Sequence, residues 1–61
     1  MKLTITISMD NAAFEDNPDE VARILYEFSR STQGHAALRP GDVRTLHDIN
    51  GNAVGEAIVT D

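Results

Sequence analysis

The chain has no cysteine and no tryptophan, only two prolines, and three large aromatic residues, Phe14, Tyr26 and Phe28. Without cysteine there is no disulfide framework and no thiolate metal site to support a small fold. Basic residues are also scarce, with five Lys and Arg against ten Asp and Glu, a net charge of -5. A surface short of cations is poorly suited to nucleic-acid phosphates, which are gripped by Lys and Arg. It suits a basic partner, or simply keeps a small protein dissolved. No run approaches the ~20 apolar residues of a membrane span. The N-terminal segment Met1–Ile7 alternates from its first residues and lacks the apolar core of a signal peptide, so a soluble cytoplasmic protein is expected. With 61 residues the chain makes a single domain, 1–61. A chain of this size buries only ~60% of its unfolded surface, which makes homodimerisation a plausible way to cover more.

What is present is well patterned. Lys2 to Met9 alternates, with Leu3, Ile5, Ile7 and Met9 on one side and Lys2, Thr4, Thr6 and Ser8 on the other. That predicts a first strand. Asp10 to Asp16 reads as a connection, with Phe14 tucked as a lid under the helix that follows. The helix is expected over about Pro18 to Gln33. Asn17 suits the N-cap, Pro18 the first helical position and Glu20 the return arm of a capping box. Val21, Ile24, Leu25 and Phe28 recur at helical spacing on one face. Glu20–Arg23, Arg23–Glu27 and Glu27–Arg30 are spaced for ion pairs, and Gly34 for a left-handed stop. His35 to Asp42 reads as a loop, with a turn at Arg39-Pro40-Gly41-Asp42.

Val43–Asp48 and Ala53–Thr60 are the second and third strands. The residues between them close a hairpin in one of two ways. Asn50-Gly51 can form a two-residue type I′ turn. Alternatively, Asp48-Ile49-Asn50-Gly51 forms a type I turn with Gly51 in a bulge. The second is preferred, because it sets Arg44 opposite Glu56 and Leu46 opposite Val54, both favourable cross-strand pairs. The fold class is therefore α+β in the order β-α-β-β, one helix on a three-stranded antiparallel sheet of strand order 1-3-2 with a right-handed crossover. Glu56 lies mid-strand and is costly to bury unpaired, so it belongs on the open sheet face. Unless a bulge intervenes, Val54 and Ile58 share that face, joined by Leu46 in the bulged register or by Val43 and Ile49 in the tight-turn one. Leu46, Val54, Glu56 and Ile58 thus form a candidate interface, for a dimer or a second partner.

Candidate chemistry is sparse. Asp48-Ile49-Asn50-Gly51-Asn52 superficially resembles a calcium loop, but its Gly is fourth rather than sixth and flanking helices are missing, so it reads as a turn. His35 and His47 have no further ligand at metal spacing, and Ser29, Ser31 and Thr32 form no nucleophile elbow. No enzymatic activity, metal or cofactor is expected. The binding features are electrostatic. Asp10, Glu15, Asp16, Asp19 and Glu20 place half of the acidic residues within eleven positions. A solvated helix start explains them in part, since the free N–H groups there favour negative charge. A patch for a basic partner explains them equally. Arg23, Tyr26 and Arg30 follow one another along the exposed helix face and carry the residue types common at interface hot spots.

The runs Asn11–Pro18, Glu20–Leu25 and Asp48–Gly55 together resemble a family of very small acidic proteins encoded by phages and prophages. The segment from Ser31 to Asp42 lies outside the resemblance. The resemblance implies a non-enzymatic accessory protein acting in the cytoplasm of an infected bacterial host. It implies further an inhibitor of the anti-CRISPR kind, a DNA mimic whose acidic surface occupies the basic nucleic-acid-binding surface of a host protein such as a CRISPR effector subunit. The alternative is a structural, assembly or regulatory phage protein that oligomerises through its open sheet face.

Overall fold

The computed structural model describes residues 1–61, with the side chain of His35 excepted, so the expectation about that histidine lies outside the described residues. The elements in order are β1 (Lys2–Ile7), α1 (Ala12–Asp16), α2 (Glu20–Ser31), a 3-10 turn (Gly34–Ala36), β2 (Val43–His47) and β3 (Ala53–Thr60). The three strands form an antiparallel sheet in the order β1-β3-β2, so β3 is central. The fold is α+β, with the strand order read from the sequence but with two helices in place of one. Among the described residues, no helix is long and apolar enough to cross a membrane.

The additional helix is α1, where the sequence reading has a connection. Asn11 caps it, its Oδ1 accepting a hydrogen bond from the N–H of Ala13 at 3.0 Å. Asn17 is not the N-cap of the main helix. It is the C-cap of α1, with extended backbone (φ -128, ψ 98), and its side chain reaches back to the Ala13 carbonyl at 3.1 Å. The physical reason is the following proline, whose ring clashes with a helical residue before it and drives Asn17 into the extended region. Helix α2 therefore starts later than expected, after a turn in which the Glu20 N–H bonds the Asn17 carbonyl at 3.0 Å. Phe14 is half-buried and packs against the core, as its place beneath the helix requires.

The core is small: Ile24 and Phe28 of α2 against Leu46 of β2 and Ala57 of β3, with Ile7, Phe14, Leu38 and Val54 at its margin. On the helix side of the sheet the cross-strand rows are Leu3–Val59, Ile5–Ala57–Arg44 and Ile7–Gly55–Leu46. Small residues on β3 let α2 approach the sheet. On the open side the rows are Thr4–Ile58–Val43 and Thr6–Glu56–Thr45. Glu56 is exposed on the open face, as its charge demands.

The hairpin takes the bulged turn. The Gly51 N–H bonds the Asp48 carbonyl at 3.0 Å, and Gly51 has φ +86. A type I′ turn needs positive φ at both central residues, and among the described residues only glycines have it, so Asn50 does not. The cross-strand pairs expected from that turn nevertheless fail to form. Arg44 faces Ala57, Thr45 faces Glu56 and Leu46 faces Gly55. The cause is a second irregularity between Leu46 and His47, which leaves Val54 as an extra residue on β3 and restores the other register. Leu46 is thereby turned under α2, where it is 5% exposed, and Val54 is tipped toward the core.

Gly55 follows the extra residue of the bulge and lies against β1. A Cβ there would overlap the carbonyl oxygen of Thr6 and come within 2.9 Å of the Ile7 Cα, both backbone atoms of the neighbouring strand. Only glycine permits β1 and β3 to meet at this point. Gly55→Ala is expected to cost about 3 kcal/mol or more, against a total stability of roughly 3–9 kcal/mol for a domain of this length. Urea unfolding followed by circular dichroism measures the difference. A variant within about 0.5 kcal/mol of the parent would contradict the close approach.

Candidate binding surface

Two carboxylates organise the end of the molecule where both helices begin and the β2–β3 hairpin turns. Asp48, 4% exposed, opens the turn. Its Oδ1 accepts from the backbone N–H groups of Asn50 and Asn52, each at 2.9 Å, and its Oδ2 from the side-chain amides of Asn11 at 2.7 Å and Asn52 at 3.1 Å. Asn11 thus caps α1 with one side-chain atom and holds the hairpin with the other. Glu20, 2% exposed, opens α2. It accepts from the backbone N–H of Ile49 at 2.8 Å and from Arg23 at 2.6 and 3.2 Å. Arg23 in turn donates to the His47 carbonyl at 3.2 Å and lies 3.3 Å from Glu27.

This network changes the reading of two site residues. Glu20 is not part of a solvent-facing acidic patch, nor is it the arm of a capping box. It is buried because the Ile49 N–H, at the tip of the turn, needs an acceptor and Arg23 can share the carboxylate. Arg23 is likewise not a free hot-spot residue. It is half-buried and its guanidinium is divided among Glu20, Glu27 and the His47 carbonyl. Arg23 resembled a surface residue in sequence because helical spacing locates partners along α2 and says nothing of a hairpin packed beside it.

The charges within the network are strongly coupled to it. The hydrogen bond from Arg23, supported by that from Ile49, outweighs burial and holds the Glu20 carboxyl below the usual carboxylate range. The same bond raises the Arg23 guanidinium further above its ordinary value. Burial pushes the Asp48 carboxyl up, but the bonds from Asn52, Asn11 and Asn50 together overcome it and leave the group below its usual range.

The remaining acidic candidates, Asp10, Glu15, Asp16 and Asp19, are all exposed. None makes an ion pair among the described residues. Asp10 accepts a hydrogen bond from the Ser8 hydroxyl at 3.2 Å. These four lie on α1 and on the turns at its two ends, so one short segment presents them. Farther along α2, Tyr26 is 62% exposed, and the Arg30 guanidinium stands 5.9 Å from the centre of its ring, a cation–π distance. Between α2 and β2 runs an open groove of about 330 Å³, bordered by Ile24, Glu27, Phe28, Arg44, Leu46 and His47.

Of the proposed open-face interface, Glu56 and Ile58 lie on the open sheet face, whereas Leu46 is in the core and Val54 packs against it. Without those two, the open face is a field of threonines around Ile58, Val43 and Glu56. Of the apolar residues expected there, Val43 and Ile58 pair across β2 and β3 on the open face. No protein-family model matches this chain, and no curated protein or solved structure shows significant similarity to it.

The two carboxylates predict an acid-sensitive fold. A carboxyl held below its unfolded value stabilises the native state fully above the ordinary carboxylate range, and that stability is lost as pH falls through the depressed value. The urea midpoint is therefore expected to be level from pH 7 to about 5 and to fall steeply below about 4. Asp48→Asn and Glu20→Gln should each lower the midpoint at pH 7 and shallow the acid limb, because an amide cannot accept all the donors gathered around the carboxylate. Parallel pH profiles for parent and variants would exclude the two groups as the source.

Proposed function

We propose that this chain is a non-enzymatic inhibitor that docks, through the exposed carboxylates of α1 and its flanking turns, on a basic nucleic-acid-binding surface of a host protein. A CRISPR effector subunit is the kind of target that the resemblance to small phage proteins implies. The observation that carries the reading is the division of labour among the acidic residues. Glu20 and Asp48 are committed to the fold, while Asp10, Glu15, Asp16 and Asp19 are exposed and make no ion pair among the described residues. Carboxylates in that condition cost little to bring against Arg and Lys of a partner, and they repeat the charge that such a partner meets on a nucleic-acid backbone. Tyr26 with Arg30, farther along α2, supplies an aromatic contact beside the charged one.

The reading makes a specific demand on salt and on three residues. Binding to a purified DNA-binding effector, and release of its DNA, should weaken steeply between low and physiological ionic strength. Glu15, Asp16 and Asp19 changed together to Lys should abolish binding. The same change places cations near the positive end of α2, at about 0.3–1 kcal/mol for each charge close to that terminus, so circular dichroism is needed to show that the domain still folds. A folded triple variant that binds and inhibits like the parent would sink the proposal.

A further inference from the structure

The sheet has two edges, and they are not alike. At the β2 edge the Arg23 guanidinium donates to the His47 carbonyl, and Arg44 and His47 bring polar side chains to the strand. The β1 edge has none of this. Lys2-Leu3-Thr4-Ile5-Thr6-Ile7 is a six-residue strand with no proline and no bulge, and its one charge is at its end. Natural proteins block such an edge or pair it.

The register shows which groups it offers. The Ser8 N–H bonds the Val54 carbonyl at 2.7 Å, one step beyond the Ile7–Gly55 pair. On the other side of β3, the Val59 N–H bonds the Asp42 carbonyl and the Val59 carbonyl accepts from Gly41. Bonded pairs alternate in an antiparallel ladder, so Lys2, Thr4 and Thr6 bond to β3 and Leu3, Ile5 and Ile7 turn their N–H and C=O groups outward. The side chains of the same three residues lie on the helix side of the sheet. There α2 covers the β2–β3 half, leaving Leu3 43% and Ile5 36% exposed. Leu25, on the flank of α2 away from Arg23 and Glu27, is 38% exposed.

We infer that this edge is completed by a second copy of the chain, β1 against β1 across a two-fold axis, to make a continuous six-stranded antiparallel sheet. The strand is self-complementary in that arrangement. With Ile5 opposite Ile5 of the second copy, Leu3 faces Ile7 and Ile7 faces Leu3, and every outward N–H and C=O of these residues finds a partner. All the facing apolar side chains fall on the helix side, so the two exposed troughs join into one apolar floor between the two α2 helices. On the opposite side Thr4 meets Thr6. Lys2 falls opposite Ser8 of the second copy, whose hydroxyl is bonded to Asp10. The one cation of the strand thus meets a carboxylate of its mate, twice by symmetry. An unrelated partner strand would have to reproduce both the apolar and the charged match, which a second copy does by symmetry.

Sedimentation of the full chain across a concentration series tests this. The parent is expected at a mass twice the 6.7 kDa of one chain. Of the backbone hydrogen-bonding groups, Ile5→Pro removes an N–H that faces outward, a place where an edge strand tolerates proline. It should give a monomer whose circular dichroism is unchanged. Leu3→Lys, at a more exposed position, should do the same and serves if the proline variant fails to fold. Lys2→Glu should weaken the dimer several-fold, and Lys2→Glu with Asp10→Lys should restore it. A parent that stays monomeric at every concentration, or a dimer that survives Leu3→Lys, would overturn the inference. Ile5→Pro, Leu3→Lys and the single variant Lys2→Glu leave Asp10, Glu15, Asp16 and Asp19 untouched, so in these variants loss of the dimer is distinguishable from loss of the acidic surface.

Discussion

The structure depends on two buried carboxylates that face the same hairpin turn. Asp48 gathers four donors from Asn11, Asn50 and Asn52, and Glu20 takes the N–H of Ile49 together with the Arg23 guanidinium. A buried charge is tolerated only where its hydrogen bonds replace those lost to water. Here that requirement fixes geometry. The start of α1 must meet the β2–β3 hairpin for Asp48 to be satisfied, and the start of α2 must meet it for Glu20. A five-residue helix such as α1 has little stability of its own, since nucleation is unfavourable and few bonds follow it. The tie from Asn11 to Asp48 and the burial of Ala13 and Phe14 hold it in place.

The second constraint is the bulge on β3. It turns Leu46 beneath α2 and tips Val54 toward the core, which enlarges a core that would otherwise be confined to Ile24, Phe28 and Ala57. Next to it, β1 approaches Gly55 so closely that no side chain is admitted. Burial won over the cross-strand attraction of Arg44 and Glu56, and the magnitudes agree with that outcome. An exposed ion pair contributes about 0.2–1 kcal/mol, whereas burying a leucine side chain contributes roughly 1.5–3 kcal/mol.

With Glu20, Asp48, Arg23 and Leu46 committed to the interior, the surface divides into distinct regions. The acidic segment around α1 is solvent-facing and charged. The β1 edge and the trough beside it are apolar and carry unpaired backbone groups. The open sheet face is dominated by threonine. A dimer joined at β1 uses Asp10 but not Glu15, Asp16 or Asp19, so the proposed acidic contact and the proposed self-association share only that one carboxylate.

The sequence by itself determined the elements whose causes are local. Alternation in Lys2–Ile7 and Ala53–Thr60, helical spacing of Ile24 and Phe28, and the Asp48–Gly51 turn chemistry were legible because each depends on residues a few positions apart. The sheet order followed from them, since a hairpin and one long connection leave few arrangements. The exposure of the carboxylates at positions 10, 15, 16 and 19 was legible as well, because an unpaired carboxylate is costly to bury. The tertiary structure alone decided the rest. Whether Asn17 caps the helix before or after it depended on Pro18 and on where α1 could be tied down. Whether Glu20 faced solvent depended on the Ile49 N–H, 29 residues away. Whether Leu46 and Val54 faced the helix or the open side depended on a one-residue bulge, and in a strand one residue exchanges the two faces. These outcomes rest on contacts between distant segments, whose energies no local pattern records.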